Sequence, residues 1–174
     1  MPYLGSTVFF VTLVGALVLA LTAWWLFVRS LAPGFVGRAR DRWSRRPVLT
    51  VLLGAVTGGF ATLVLIALFA VGHPAASFVA TVAATGLLAF ALAGTAGLAQ
   101  RIGEGLASPT DEGREWFRCL KGGAVLELCF LLPVLGWFLV LPIAVYGGLG
   151  AALGSVALGI HARLRAPAAH AESA

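Results

Sequence analysis

The stretch VLELCFLLPVLGWFLVLPIAVYGGLG, residues 125–150, decides how this chain folds. It lies in a largely apolar run of 39 residues, from residue 122 to residue 160. A single α-helix of that length would be about 58 Å long, whereas the hydrocarbon core of a bilayer is about 30 Å thick. The run must therefore turn back. Pro133, Gly136 and Trp137 predict the turn at PVLGW, because proline removes a helix hydrogen bond and tryptophan favours the membrane interface.

The two legs of this turn differ in length. Residues 138–160 are long enough to cross a membrane, but residues 122–132 are not. The first leg becomes a span over residues 116–134 if its helix already starts near Trp116, with the flanking basic side chains reaching toward headgroups. Otherwise the first leg is re-entrant, and the sequence leaves both alternatives open.

The composition excludes a soluble domain. Hydrophobic residues make up 60% of the chain and charged residues 11%, against about 45–50% and about 25% in soluble domains. We therefore expect an all-α integral membrane protein in which residues 1–174 form one polytopic domain. Besides the two legs, three apolar segments exceed the roughly 20 residues that a crossing needs. These segments are residues 6–28, 48–71 and 76–99.

The basic residues predict the orientation. The chain has 12 lysines and arginines, which follow the first and third apolar segments and the last one. All of them lie at one face if the final run crosses twice. The positive-inside rule makes that face cytoplasmic, with the N-terminus outside and the C-terminus inside. The expected location is a bacterial inner (plasma) membrane, with the lipid bilayer as the first partner.

Residues 29–47, RSLAPGFVGRARDRWSRRP, form the densest basic segment. Basic residues beside a membrane attract anionic headgroups, so this juxtamembrane segment predicts contact with anionic lipids. The alternative is a solvated orientation signal, and no nucleic-acid binding is expected. The predicted lipid contacts are Arg38, Arg40, Arg42, Arg45 and Arg46.

A second polar region, residues 100–121, predicts an interfacial loop or amphipathic helix. Thr110 is placed to cap a short helix that begins with acidic residues and ends in basic ones, which suits the helix dipole. Its aromatic residues give that helix an apolar side.

Small residues recur at helical spacing in the apolar segments. In lipid, small residues allow helix backbones to approach closely, and association then depends on packing. Whether these faces meet within one chain, in a homo-oligomer or against another membrane protein stays open. The predicted packing positions are Gly54, Gly58, Ala93, Gly97, Gly150 and Gly154.

Glu127 is the one acidic residue inside an apolar segment, and such residues are candidates for function. A hairpin centred on Trp137 places residue 127 opposite residue 147. We therefore expect Glu127 to point into the bundle and to contact Tyr146 or a backbone carbonyl near Gly147 as a structural clasp. The alternative is a proton or ion role for Glu127.

No catalytic set, metal-ligand spacing or phosphate-binding loop is present in the sequence, so neither an enzyme nor a cofactor is expected. Cys119 and Cys129 lack neighbouring histidines and are interpreted as small apolar residues.

Two stretches carry a resemblance. RRPVLTVLLGAVTGG, which begins at residue 45, opens a helical hairpin, and LLPVLGW is followed by a GLGA helix. Over roughly residues 29–158 this pattern resembles the multi-pass membrane region found C-terminal to bactofilin-type, polymer-forming domains. The chain lacks an N-terminal β-rich domain and has GHP where that family tends to carry GIP. The resemblance implies a topology and no chemistry.

The sequence thus predicts a non-enzymatic membrane anchor, scaffold or accessory subunit. The rival hypothesis is a small transporter or channel that uses Glu127 and the helix break from Pro133 to Gly136, because half-helix ends at membrane depth are typical of transport sites.

Overall fold

The computed structural model describes residues 2–106 and 114–171 of the chain. Within these two ranges the backbone is helical apart from short turns, and it contains no strand. The helices are α1 (Pro2–Leu31), α2 (Pro33–Arg45), α3 (Pro47–Ala70), α4 (Pro74–Gly105), α5 (Glu115–Leu131) and α6 (Leu141–Ala171), with a π-helical turn (Gly136–Val140) before α6.

Four stretches of these helices are long and apolar enough to cross a membrane, namely Gly5–Leu31, Pro47–Ala70, Pro74–Gly105 and Gly136–Ile160. The all-α membrane class is therefore confirmed. Helix α5 is not among the four, since its 17 residues extend only about 26 Å. The first leg of the predicted hairpin is thus a shorter helix, which ends at Leu131 instead of residue 134.

The predicted turn overlaps the observed one but is centred too late in the sequence. The backbone bends over residues 132–134, and the π-helical turn Gly136–Val140 already contains Trp137, on which the predicted hairpin was centred. Proline cannot donate a hydrogen bond, and its ring collides with the carbonyl four residues earlier. The wider π turn directly before Pro142 relieves that collision at Phe138. At Gly136 a Cβ would press on the carbonyl oxygen of Cys129, so the turn and the end of α5 touch through their backbones.

Helix α6 forms the centre of the bundle. It contacts α2, α3 and α4, whereas α5 contacts α1 and α4. In the candidate span Gly136–Ile160, half of the most apolar stretch is buried, compared with 11% of the corresponding stretch in each of the other three candidate spans. Because α4 packs against both legs of the predicted hairpin, α5 and α6 diverge below the turn. The assumption that residue 127 lies opposite residue 147 is therefore wrong.

The basic juxtamembrane segment is itself a helix, α2, and it is part of the bundle. Val36, Ala39 and Trp43 form its buried face, which packs on α4 and α6. Pro33 and Pro47 occupy the first turns of α2 and α3, where the missing N–H has no intrahelical partner to lose. One face of the segment therefore packs within the bundle.

The polar region after the third apolar segment begins as helix. Helix α4 continues to Gly105, so residues 100–105, the first part of the predicted interfacial loop or helix, are helical. The predicted cap at Thr110 lies outside the described residues. At the opposite end of α4, Gly72 adopts a positive φ of 70°, and the His73 side chain accepts a hydrogen bond from Ala75 N, which closes the short α3–α4 turn.

Candidate functional site

Glu127 points into the protein from α5. Glu127 is only 4% exposed. Its carboxyl oxygen Oε1 accepts a hydrogen bond of 2.8 Å from Thr22 Oγ1 of α1. Thr22 precedes Arg29 by seven residues, and Glu127 follows Lys121 by six residues. At 1.5 Å per residue both side chains are about 10 Å from the basic end of the bundle. The carboxyl group is therefore inside the membrane but close to one interface.

A second buried polar contact lies one turn away from Glu127. Trp25 Nε1 donates to Thr95 Oγ1 of α4 at 2.9 Å, and the Thr95 hydroxyl donates in turn to the Leu92 carbonyl at 2.7 Å. The ring of Trp25 packs where a side chain at Gly123 would stand. The indole N–H of Trp25 and the hydroxyl of Thr95 thus both have hydrogen-bond partners away from water, as most buried polar groups do.

A third contact lies at the basic end of the same face of α1. Arg29 donates from Nη1 to Gln100 Oε1 of α4. Thr22, Trp25 and Arg29 are spaced three and four residues apart, so they share one face of α1. Through that face α1 binds α5 once and α4 twice, and in a bilayer such hydrogen bonds add to packing because lipid offers the groups no alternative partner.

Glu127 also lines a cavity of about 450 Å³ that lies between α1 and α6. Helices α4 and α5 form its inner wall. The remaining lining is almost entirely apolar, with Thr95 as the other polar residue. Several lining residues, including Phe10, Trp137 and Leu131, are more than half exposed, so the cavity opens sideways toward the surrounding lipid. The cavity thus presents one carboxyl group among apolar side chains.

Tyr146 and Gly147 do not form the predicted clasp with Glu127. The carbonyl and ring of Tyr146 pack against Gly54 and Gly58 of α3, and Gly147 receives the ring of Trp43 from α2. The α6 residues that share the cavity with Glu127 are Leu141, Ala144 and Val145. Neither Tyr146 nor Gly147 lines this cavity. The partner of Glu127 is Thr22, and no pairing argument centred on the turn could have named it.

Glycine contacts at the predicted packing positions join helices of the same chain. A Cβ at Gly54 would overlap the Tyr146 carbonyl oxygen, and one at Gly150 would overlap the Thr50 carbonyl oxygen. These contacts bring the backbones of α3 and α6 together. Gly58 is covered by Tyr146 and Leu149 of α6.

The other predicted positions connect α2 with the bundle. Gly97 of α4 lies against Ala39 and the Arg40 backbone. Gly154 of α6 is covered by the guanidinium of Arg42. Ala93 packs beside the buried cluster around Trp25. The glycines at 97, 147 and 154 are therefore what allows an arginine-rich helix to enter the bundle.

Three of the five predicted lipid-binding arginines have partners within the protein. Arg38 Nε donates to the Ser155 carbonyl at 3.0 Å, and Arg42 Nη1 donates to the Gly150 carbonyl at 3.5 Å. Arg40 forms ion pairs with Asp41 at 2.6 Å and with Glu104 at 2.8 Å. Those hydrogen bonds, first to Asp41 and then to Glu104, raise the pKa of Arg40 above its ordinary value.

The remaining two, Arg45 and Arg46, border a groove of about 690 Å³ between α2, α3 and α6. Within the described ranges their side chains form no hydrogen bond and no ion pair. Arg38 and Arg42 also line this groove, and its other wall consists of side chains of α3 that are apolar except for Thr50.

No protein-family model, curated protein or solved structure matches this chain. A proposal for the function therefore rests on the structure alone. The structure adds Thr22, Trp25, Thr95 and Gln100 to the polar residues that sequence reasoning identified. The signal that could have found them is the spacing of Thr22, Trp25 and Arg29 on an otherwise apolar helix.

Proposed function

We propose that this chain is a non-enzymatic integral membrane protein of a bacterial inner membrane, which serves as an anchor, scaffold or accessory subunit. Its N-terminus is outside and its C-terminus is cytoplasmic. One observation carries the proposal. Between the basic end of the bundle and the α3–α4 turn, Glu127 is the only Asp, Glu, Lys, Arg or His of the described residues, and it is bound to Thr22.

The rival transport function requires more than one such group. Intramembrane ion and proton paths use several ionisable side chains or a water-filled cavity. Here the helix break near Pro133 is exposed on the lipid-facing surface, and the cavity beside Glu127 is apolar. This arrangement favours a structural role for the carboxyl group.

The orientation is supported by the grouping of basic side chains. Arg29 contacts Gln100, Arg40 contacts Glu104, and Arg38 contacts the Ser155 carbonyl. Gln100 and Glu104 of α4 and Ser155 of α6 lie toward the same end of the bundle. Because clustered arginines stay on the cytoplasmic side during insertion, this end is assigned to the cytoplasm.

Purification in a mild detergent tests the proposal. We expect the wild-type protein to bring along a membrane partner in fixed ratio. A Gly59→Leu variant should keep that partner, since a Cβ at Gly59 meets nothing within 4 Å. A Gly54→Leu variant should lose it with the α3–α6 packing. Recovery of the wild type without any partner, together with substrate uptake by the protein alone in liposomes, would overturn the proposal.

A further inference from the structure

The groove between α2, α3 and α6 has two chemically different walls. Helix α2 and the residue directly after it contribute four arginines to this groove, Arg38, Arg42, Arg45 and Arg46. Helix α3 contributes the apolar side chains of Leu49, Leu52, Leu53 and Val56, and α6 adds Leu158. One opening of about 690 Å³ thus offers cations at one side and hydrocarbon at the other.

The charge of the groove is unbalanced. Its four guanidinium groups face a single carboxylate, Asp41, and Arg40 already donates to that carboxylate at 2.6 Å and 3.0 Å. Guanidinium groups have five N–H donors each. Arg38 and Arg42 use one apiece on carbonyls of α6, so these two side chains are positioned and retain further donors.

The depth of the two walls matches the two parts of a lipid. Arg46 directly precedes Pro47, the first residue of a membrane-spanning helix. The apolar wall from Leu49 to Val56 then extends about 10 Å toward the membrane centre. A phosphate held at the level of Arg45 and Arg46 would therefore have its acyl chains beside α3. Inorganic phosphate would use only the first wall.

We propose that this groove binds one anionic phospholipid, with its phosphate on the α2 arginines and an acyl chain along α3. The site goes beyond the anchor function, which needs no particular lipid. It also differs from diffuse attraction to an anionic surface, because bound lipid here has a fixed place and a fixed ratio. The lipid would bridge α2, α3 and α6 at the cytoplasmic end of the bundle.

The test uses the full chain in neutral detergent. Phosphatidylglycerol is titrated against phosphatidylcholine, and retained lipid is counted by native mass spectrometry. We expect one phosphatidylglycerol per chain, bound at least tenfold more tightly than phosphatidylcholine. Each basic residue beside an anionic headgroup contributes about fivefold in affinity, so replacing Arg45 and Arg46 by glutamine should weaken binding by about 30-fold.

Three single variants separate the contribution of the apolar wall from that of the charge, and two of them are matched controls. Arg101→Gln removes an exposed arginine at the same end of the bundle that does not line the groove, and it should leave binding unchanged. Leu53→Trp fills the apolar wall without changing the charge and should weaken phosphatidylglycerol binding. Leu63→Trp, on the exposed outer part of the same helix, should not. Thermal unfolding checks that each variant is folded.

Four results would overturn the proposal. These are equal affinity for the two lipids, binding that rises without saturation, wild-type binding in the double arginine variant, and displacement of the lipid by millimolar inorganic phosphate. The last result would indicate a phosphate site that ignores the apolar wall. None of them depends on whether a protein partner is found, so the lipid site and the anchor function can fail separately.

Discussion

The N-terminal half of α1 and the middle of α6 are both continuous apolar helix, yet they have opposite surroundings. On α1, Val8, Phe9, Phe10 and Val11 are each more than 60% exposed. On α6, every residue from position 147 to position 152 is buried. Hydropathy alone does not distinguish the two regions, because both are apolar enough to cross a membrane.

Side-chain size explains the difference. The buried part of α6 reads GGLGAA from residue 147, whereas α1 carries large side chains on all faces of its N-terminal half. Lipid tails solvate apolar side chains as well as another helix does, so burial follows from how closely two backbones can approach. Helix α1 joins the bundle mainly through its C-terminal half, where Trp25 packs and the polar contacts lie.

The largest effect is expected where the α3 and α6 backbones touch. Gly54→Leu and Gly150→Leu would each force a side chain into a backbone carbonyl of the facing helix. Overpacking a core costs about 1–3 kcal/mol even when the neighbouring side chains can move. A backbone carbonyl cannot move aside in this way, so we expect each variant to lose at least about 3 kcal/mol of unfolding free energy. Thermal unfolding in detergent measures these losses.

The control for this prediction lies on the same helix. Gly59 is open to lipid, so Gly59→Leu should unfold at the wild-type temperature. If the three leucine variants were equally stable, the small residues of α3 and α6 would not be an interface.

The docking of α2 gives the next largest effect. Trp43→Ala removes the ring that fills the space at Gly147, and large-to-small changes of this kind cost about 3 kcal/mol in protein cores. Most of that loss is expected here because Trp43 is only 8% exposed. The measurement is protection of residues 33–45 from proteolysis in the purified protein.

Gly37→Ala serves as the comparison within α2, because a Cβ there meets nothing within 4 Å. Alanine should leave protection unchanged or raise it, since glycine is the poorer helix former by about 1 kcal/mol. Full protection of the Trp43→Ala variant would mean that α2 does not depend on the bundle.

Thr22→Val should have a smaller effect. It keeps the shape of the side chain but leaves the buried carboxyl of Glu127 without its donor, which costs about 1–2 kcal/mol. Thr57 bonds only to carbonyls of its own helix, so Thr57→Val should be nearly neutral. Equal unfolding temperatures for both valine variants would show that the α1–α5 hydrogen bond contributes nothing.

The smallest loss is expected for Glu127→Leu. It removes the acceptor of one intramembrane hydrogen bond, and such bonds average about 0.6 kcal/mol in membrane proteins. A double-mutant cycle with Thr22→Val measures the coupling between the two side chains. A coupling energy of zero would contradict the assignment of Thr22 as the partner of Glu127.

Composition and segment length were sufficient to predict the class of fold and the turn at PVLGW. They could not predict the arrangement of the helices, because hydrophobic periodicity carries little information when lipid surrounds the bundle. The hairpin argument for Glu127 therefore failed, as it assumed that consecutive helices pack side by side, whereas α4 packs against both α5 and α6.

The basic segment shows a second limit of sequence reasoning. Its arginines predicted contact with headgroups, but Val36, Ala39 and Trp43 were not identified as one buried face. Their spacing of three and four residues was available. What the sequence could not supply is the matching space at Gly97 and Gly147, which comes from helices far along the chain.

The role of Glu127 is tested most directly by ion flux. The wild-type protein and a Glu127→Gln variant are reconstituted in liposomes, and proton and cation movement is measured under an applied gradient. The account predicts that both behave as empty liposomes and that glutamine, which preserves the shape and the hydrogen bond with Thr22, unfolds at nearly the wild-type temperature. Flux through the wild type that disappears in a normally folded glutamine variant would contradict a structural role and establish a transport path.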